Sequence, residues 1–299
     1  MRLITPTLLY FSLSLVIHST YLEAYDPVDL FTIDCGSSGF YLQEQDNDGR
    51  TWHVDRYYTG ELILTGESDN ASANTLAPFI NQIPYGTARL SRSQFNFSFP
   101  VNTAGPKFLR LFFYPASYSG GFNRGDASFT VKSNGFTLLK DINASLTADA
   151  EGLDTIFREY IINVNHGQNL DLYFTPTTSS SYAFINGIEV VSMPSDLYYT
   201  PSTDPGFKLV GRDNTLYSVA NNTALETSYR IKVGGQTISP SKDTGLFRNW
   251  EGNDDLYLRT PSALGSEEAD STGAMNITVS PDYAAPEDVT SDSTVKWQT

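Results

Sequence analysis

Glu189 lies in the apolar stretch SYAFINGIEVVSMP, residues 181–194. A strand carboxylate facing a groove is one half of a glycoside-hydrolysing pair, which needs a second carboxylate about 5–9.5 Å away. No second acid can be assigned to it along the chain. The competing reading is an outward-facing strand acid, opposite in direction to Ile188 and Val190. Cys35 with His53 or His166 has the residue types of a nucleophile and its base. In TIDCGS this single cysteine equally suits a small buried hydrophobe where a strand enters a turn. No nucleophile elbow, zinc spacing or phosphate loop is present, and KVGGQT at 232–237 has two glycines without the required pattern.

Glu44, Asp46, Asp48, Gly49 and Asp55 in EQDNDGRTWHVD fall on the spacing of an EF-hand calcium loop. Its first ligand is Glu where Asp is usual, its last is Asp where Glu is usual, and its flanks read as strands. An acidic turn bent at Asp48-Gly49 is the other reading, and no cofactor is called for. Sugar recognition by a sheet protein calls for exposed aromatics that stack on the rings. In YPASYSGGFNRGD (114–126), Tyr118 and Phe122 stand among Ser and Gly, with Arg124 and Asp126 placed to bond hydroxyls or each other. Tyr57 and Tyr58 form a second candidate pair. Partial burial as loop anchors is the alternative for all four aromatics.

The elements that must position these residues are strands. In QFNFSFPV (94–101), Phe95, Phe97, Phe99 and Val101 alternate with Asn96 and Ser98, so the aromatics face inward and Asn96 faces solvent. KFLRLFFYP (107–115) is nearly continuously apolar, as a strand buried on both faces would be. ASFTVKSNGFTLL (127–139) reads as a hairpin about a type I′ turn at Asn134-Gly135. EYIINVNHGQNLDLYFTP (159–176) repeats that design, with Gly167 in the connection. Residues 144–157 suit a short helix. Arms of about four residues are too short for a hairpin in 181–194, so one strand runs through Asn186-Gly187, the glycine marking a bulge or close approach. Many short strands with polar turns indicate an all-β chain, an antiparallel sandwich of jelly-roll type.

The 299 residues are 40% apolar and 13% aromatic, enough for a core. The 34 acids against 19 bases give −15, which disfavours nucleic acid as a partner. Arg2 followed by LLYFSLSLVI reads as a signal peptide cleaved near Ala24, and no later stretch is long and apolar enough to span a membrane. The expected location is the secretory pathway and the cell exterior. Five sequons agree: Asn70, Asn96, Asn143, Asn221 and Asn276. The prolines at 194, 201 and 205 mark a linker. Beyond it the chain begins to repeat: Ile33 and Ile231, Gly36 and Gly234, Trp52 and Trp250, Tyr85 and Tyr283 share one offset of 198 residues. A partner for the AFINGIEV strand at that offset would fall beyond residue 299. The expected division is a signal peptide at 1–24, a complete unit at 25–194, a linker at 195–227 and the first part of a second unit at 228–299.

Several motifs occur in order: IDCGSSG (33–39), GRTWHVD (49–55), PYGTARL (84–90), FLRLFFYP (108–115), NGFTLLKDINASLTA (134–148), AFINGIEVVSMP (183–194), YRIKVGG (229–235) and DTGLFRNW (243–250). Together they resemble the extracellular part of the plant malectin-like receptor kinases, the FERONIA-type group. The resemblance implies tandem malectin-like β-sandwiches, here one complete and one begun. In the family a membrane span and a cytoplasmic Ser/Thr kinase follow, so these residues are not themselves an enzyme and would meet the membrane only through a span outside them. It further implies three partners: a secreted cysteine-rich signalling peptide, a GPI-anchored co-receptor, and cell-wall pectin. For pectin, the local cations are Arg89, Arg92, Lys107 and Arg110, a positive patch if their strands are neighbours. A free secreted lectin-like module is the alternative, and a glycosidase the third reading.

Overall fold

A computed structural model of the chain describes residues 25–38, 43–57, 62–209, 215–232, 236–252 and 281–291. In chain order the strands are β1 (Leu30–Asp34), β2 (Gln43–Gln45), β3 (Thr51–Val54), β4 (Ile63–Thr65), β5 (Asp69–Ser72), β6 (Thr87–Ser91), β7 (Phe95–Phe99), β8 (Gly105–Phe113), β9 (Ser128–Ser133) and β10 (Phe136–Asn143). Helix α1 (Ala144–Glu151) follows, then β11 (Ile156–Val164), β12 (Leu170–Pro176), β13 (Ala183–Ile185), β14 (Gly187–Ser192), β15 (Phe207–Lys208), β16 (Leu216–Tyr217) and β17 (Leu225–Glu226).

These form an all-β sandwich. A seven-stranded sheet runs β17-β11-β8-β14-β1-β3-β2, and a five-stranded sheet runs β10-β9-β12-β7-β4. The sheets meet through alternate residues. Phe95, Phe97 and Phe99 of one join Leu109, Leu111, Phe113, Ile188 and Val190 of the other in a single buried cluster. Rings touch across the gap, Phe31 with Phe99 at 5.4 Å and Phe113 with Phe129 at 5.7 Å. Among the named strands of the described residues, pairing is antiparallel apart from β1 with β3. The expected hairpin at 134–135 is there: Asn134 (φ 43) and Gly135 (φ 88) both take the left-handed conformation that a type I′ turn demands.

The expected second hairpin is not. β11 belongs to the seven-stranded sheet and β12 to the five-stranded one, so the connection at 165–169 crosses between layers. Alternation shows which face a strand buries, not which neighbour it pairs with. The stretch 181–194 is likewise two strands. β13 pairs with β6 in a small sheet, and β14 lies between β1 and β8. Asn186 at the switch is fully buried. Its amide oxygen accepts from Tyr114 N at 2.6 Å, and its amide nitrogen donates to Thr87 O at 2.6 Å and to the Tyr118 hydroxyl at 2.8 Å. Gly187 is a close approach: a Cβ there would stand 2.7 Å from Pro84 Cβ and 3.1 Å from the Trp52 ring.

The outer face of the large sheet is also covered. Phe108, Ile161, Val191, Met193, Tyr199 and Leu246 form a second buried cluster on it. That cover explains why β8 reads as apolar on both faces. It comes partly from the 195–227 segment, which was expected to be a linker. Tyr199 is buried with its hydroxyl 2.7 Å from Thr223 O, and Leu225–Glu226 adds an edge strand to β11.

One geometry recurs at the 198-residue offset. Ile33 pairs in parallel with His53, and Ile231 forms a parallel bridge with Glu251. Asp46 accepts from Arg50 Nε at 2.9 Å and from Trp52 Nε1 at 2.8 Å; Arg248 and Trp250, at the same offset, donate from Nε at 2.8 Å and Nε1 at 3.2 Å to Asp243, which stands one residue short of it. Each guanidinium stacks on its own indole, at 5.5 and 5.1 Å.

Candidate ligand-binding site

The loop after β8 was expected to present its aromatics to sugar, and the structure corrects this. Tyr118 is 1% exposed and Phe122 7%. Their backbones bridge, so the loop folds inward. Phe122 packs edge-on to Tyr182 at 5.1 Å and Tyr118 lies 5.8 Å from Phe184. The Tyr118 hydroxyl donates to Tyr114 O at 2.6 Å, and burial raises its pKa well above the ordinary tyrosine value. The glycines and serines of the loop allow the tight fold that buries the rings, which composition alone read as exposure. Tyr58 lies outside the described residues, as does the side chain of Tyr57, whose backbone ends a short 3₁₀ turn.

Arg124 remains accessible. Its Nε donates to Pro115 O at 2.7 Å and its terminal nitrogens grip Asp149 at 2.5 and 3.0 Å. This pair rims a polar pocket of about 330 Å³ that Asn74, Thr75, Ser117 and Asp154 also line. Asp126 is exposed and contacts Asn123, away from that lining.

The proposed basic patch is corrected too. Arg89 is buried, with Nε and Nη2 donating to the two oxygens of Asp55 at 2.9 and 2.8 Å. Lys107 is buried against Asp29 at 3.2 Å. Arg110 stands in register between Glu159 of β11 and Glu189 of β14, and bonds both, at 2.7 and 2.5 Å. Only Arg92 of the four is exposed; it donates to Ser180 O and Gly121 O and lies over the Phe122 ring at 5.2 Å. Three of the four cations are therefore neutralised inside the fold.

Glu189 does point away from Ile188 and Val190. It does not reach solvent, because the outer layer covers that face, and it is 0% exposed. Arg50 approaches it at 3.4 Å. The second acid that sequence reasoning missed is Glu159. Burial pushes Glu159 up, but Arg110 and Arg230 outweigh it and hold the carboxyl down at about 2. Two buried carboxylates sharing one guanidinium leave no space for a sugar between them. Cys35 is buried, its sulfur 3.8 Å from Ile33 O, and burial, with Asp55 and Asp34 nearby, pushes the thiol far up, the opposite of an activated nucleophile.

The calcium spacing resolves into an acidic turn. Asp46 accepts from Asp48 N and Arg50 N through one oxygen and from Arg50 and Trp52 side chains through the other. Asp48 lies 3.6 Å from Arg50, and Asp55 serves Arg89 and the Gly36 amide. With Glu44 they do not converge, and among the described residues no acidic, His or Cys cluster is placed to hold a metal. Of the sequons, Asn70 and Asn221 are exposed, Asn96 contacts Thr65 on the outer face, Asn143 caps α1, and Asn276 lies outside the described residues.

A larger concavity, about 740 Å³, opens where β11 and β17 meet residues 228–231 and 248–250. Tyr198, Leu225, Tyr229 and Trp250 line it. Tyr229 is 71% exposed. Arg230 lies 5.8 Å over Trp250 while donating to Glu159 at 2.6 Å, so its charge is matched from below. The result is an aromatic cleft with a neutralised cationic floor. The YRIKVGG and DTGLFRNW motifs supply it, yet nothing in their local pattern distinguishes these aromatics from core residues.

Comparison with known proteins places these features. The Malectin-like domain family matches residues 33–298. FERONIA, a receptor-like protein kinase of Arabidopsis thaliana, is 40% identical over 272 residues, which cover 89% of this chain and 29% of that protein. The crystal structure of the plant receptor-like kinase FER superposes with a TM-score of 0.72 at 39% identity, over 88% of this chain and 64% of the other. The structure of the plant peptide RALF23 in complex with FER and LLG2 gives 0.72 at 38%, over 89% and 65%. The chain thus spans under a third of FERONIA, and the residues matched are those of ectodomain structures, with no kinase domain among them.

Proposed function

The chain belongs to the malectin-like domain family, and from that membership we propose that it is the ligand-binding extracellular region of a receptor-like Ser/Thr kinase. It senses a secreted signalling peptide by recognition alone. Residues 25–194 form its first malectin-like unit and 228–299 the beginning of a second, with 1–24 directing it to the secretory pathway and the cell surface. The aromatic cleft at the junction of these units is the observation that carries the reading. Large, partly exposed rings in a concavity are what anchor protein and peptide partners. The likeness to the complex of the plant peptide RALF23 with FER and LLG2 supports a peptide of that class as ligand, with a co-receptor beside it; that the peptide is cysteine-rich and the co-receptor GPI-anchored is part of the proposal. Pectin remains a proposed wall partner, but through cations other than Arg89, Lys107 and Arg110.

Binding of a RALF23-class peptide to the secreted chain tests this. Tyr229→Ala and Trp250→Ala should each weaken binding about 30-fold, the equivalent of about 2 kcal/mol at an anchor residue. Unchanged affinity in folded variants would remove the cleft from the reading.

The lectin alternative has one observation in its favour, the polar pocket beside Arg124 and Asp149. A panel of neutral oligosaccharides decides it: binding lost in Arg124→Ala would establish a sugar site, and no binding would retire it.

A further inference from the structure

A groove lies between β10 and α1. It measures about 570 Å³, within the range of about 300–1,000 Å³ that holds small ligands. Leu138, Leu139 and Leu146 line it, and Leu146 is 66% exposed although it sits on a helix packed to the sheet. Its floor strand, β10, is the edge of the five-stranded sheet. Edge strands invite pairing with other chains, and secreted proteins blunt or cover them. β10 is partly blunted by register shifts around Leu139 and by Asp141 at φ 49. The apolar groove beside it is not.

Asn143, the first residue of the sequon Asn143-Ala144-Ser145, is on the rim. We infer that an N-linked glycan on Asn143 lies in this groove, its first N-acetylglucosamine ring against Leu146, and covers the sheet edge. Of the four described sequons, this is the one that lines a concavity among the three described above. The asparagine's two amide atoms have separate tasks. Oδ1 accepts from Leu146 N at 3.0 Å and Ser145 Oγ at 2.9 Å, capping α1. Nδ2 approaches only Gly125 O, at 3.5 Å, which occupies at most one of its two hydrogens. Glycosylation takes the other. In the secretory pathway Nδ2 attacks the anomeric carbon of a lipid-pyrophosphate-linked oligosaccharide. The N–C bond forms, the C–O bond to pyrophosphate breaks, the amide gives up one proton and the lipid pyrophosphate leaves as an anion. The cap bond survives because Oδ1 is untouched. Lys140 on the groove lining would meet the sugar hydroxyls, Glu151 beside it being held by Arg158 at 2.5 Å, while the apolar ring face would meet leucine.

The test uses the whole chain secreted from a eukaryotic host, and it is independent of the peptide-binding reading. Peptide mass mapping should find hexosamine on Asn143, and native protein should resist the trimming endoglycosidase at this site severalfold more than denatured protein. Ser145→Ala and Asn143→Asp both remove the sequon and keep an oxygen to cap Leu146 N. Each should bind severalfold more of an apolar-seeking dye, and adding Leu146→Ser should reverse the gain. Should those variants fail to fold, enzymatic removal of the glycan from folded wild-type protein gives the same readout. An unmodified Asn143, trimming as fast in native as in denatured protein, or dye binding unchanged on losing the glycan would each overturn the inference.

Discussion

Glu159→Gln probes the joint between the sandwich and the layer that covers it. Glu159 bonds Arg110 from its own sheet at 2.7 Å, and Arg230 and Thr227 from the covering segment, both at 2.6 Å. Its pKa falls from an ordinary 4.5 to about 2 in the folded protein. The difference of about 2.5, at about 1.36 kcal/mol per unit, is about 3 kcal/mol. Breaking a buried pair by removing one partner costs about 3–5 kcal/mol, which agrees. Because the folded value is depressed, this stability is fully present above pH 4.5 and is lost as pH falls through 2. Urea unfolding followed by tryptophan fluorescence should therefore show the variant about 3 kcal/mol less stable at pH 7, with the gap closing towards pH 2. A gap that stays constant from pH 7 to pH 2 would refute the argument that Glu159 acts as a charged hub. A gap near zero at pH 7 would show that the covering layer does not depend on it.

Asp34 works in a separate window: burial, then the charges of Asp55 and Glu44, raise it from 3.8 to about 8. Its stability is present below pH 3.8 and lost as pH rises through 8, so Asp34→Asn should be the more stable protein at pH 8.5 and equal to wild type near pH 4 by the same urea assay. Phe122→Ala should lower stability by about 3–5 kcal/mol, as a core truncation does, rather than selectively abolish sugar binding. Gly187→Ala should cost about 1–3 kcal/mol, measured by thermal unfolding, because its methyl would press on Pro84 and Trp52 from within 3.1 Å.

Much of the sandwich is legible residue by residue. Phe95, Phe97 and Phe99 face the core as their alternation requires, Asn134-Gly135 makes its turn, and 144–151 is helical. The repeat was visible in four identities and reappears as two parallel pairings at the same offset. The candidate site was legible only in outline. Tyr118 and Phe122 looked like surface residues because Gly and Ser surround them, yet Tyr182 and Phe184, some 60 residues later, close over them. Arg89, Lys107 and Arg110 looked like a patch because only their own neighbours were in view.

What the sequence determined by itself is local: strand faces, turn chemistry, the sequons and the order of motifs that marks the family. These depend on backbone geometry within a few residues, where side-chain direction follows from position. What the tertiary structure alone decided is which charges meet. Arg110 is joined to Glu159 and Glu189 by strand register across 49 and 79 residues, and all three are buried beneath an outer layer to which residues 195–227, a linker by composition, contribute only part. A charge carries the same letter whether it is solvated or paired; burial and distance set its energy, and both are properties of the assembled layers.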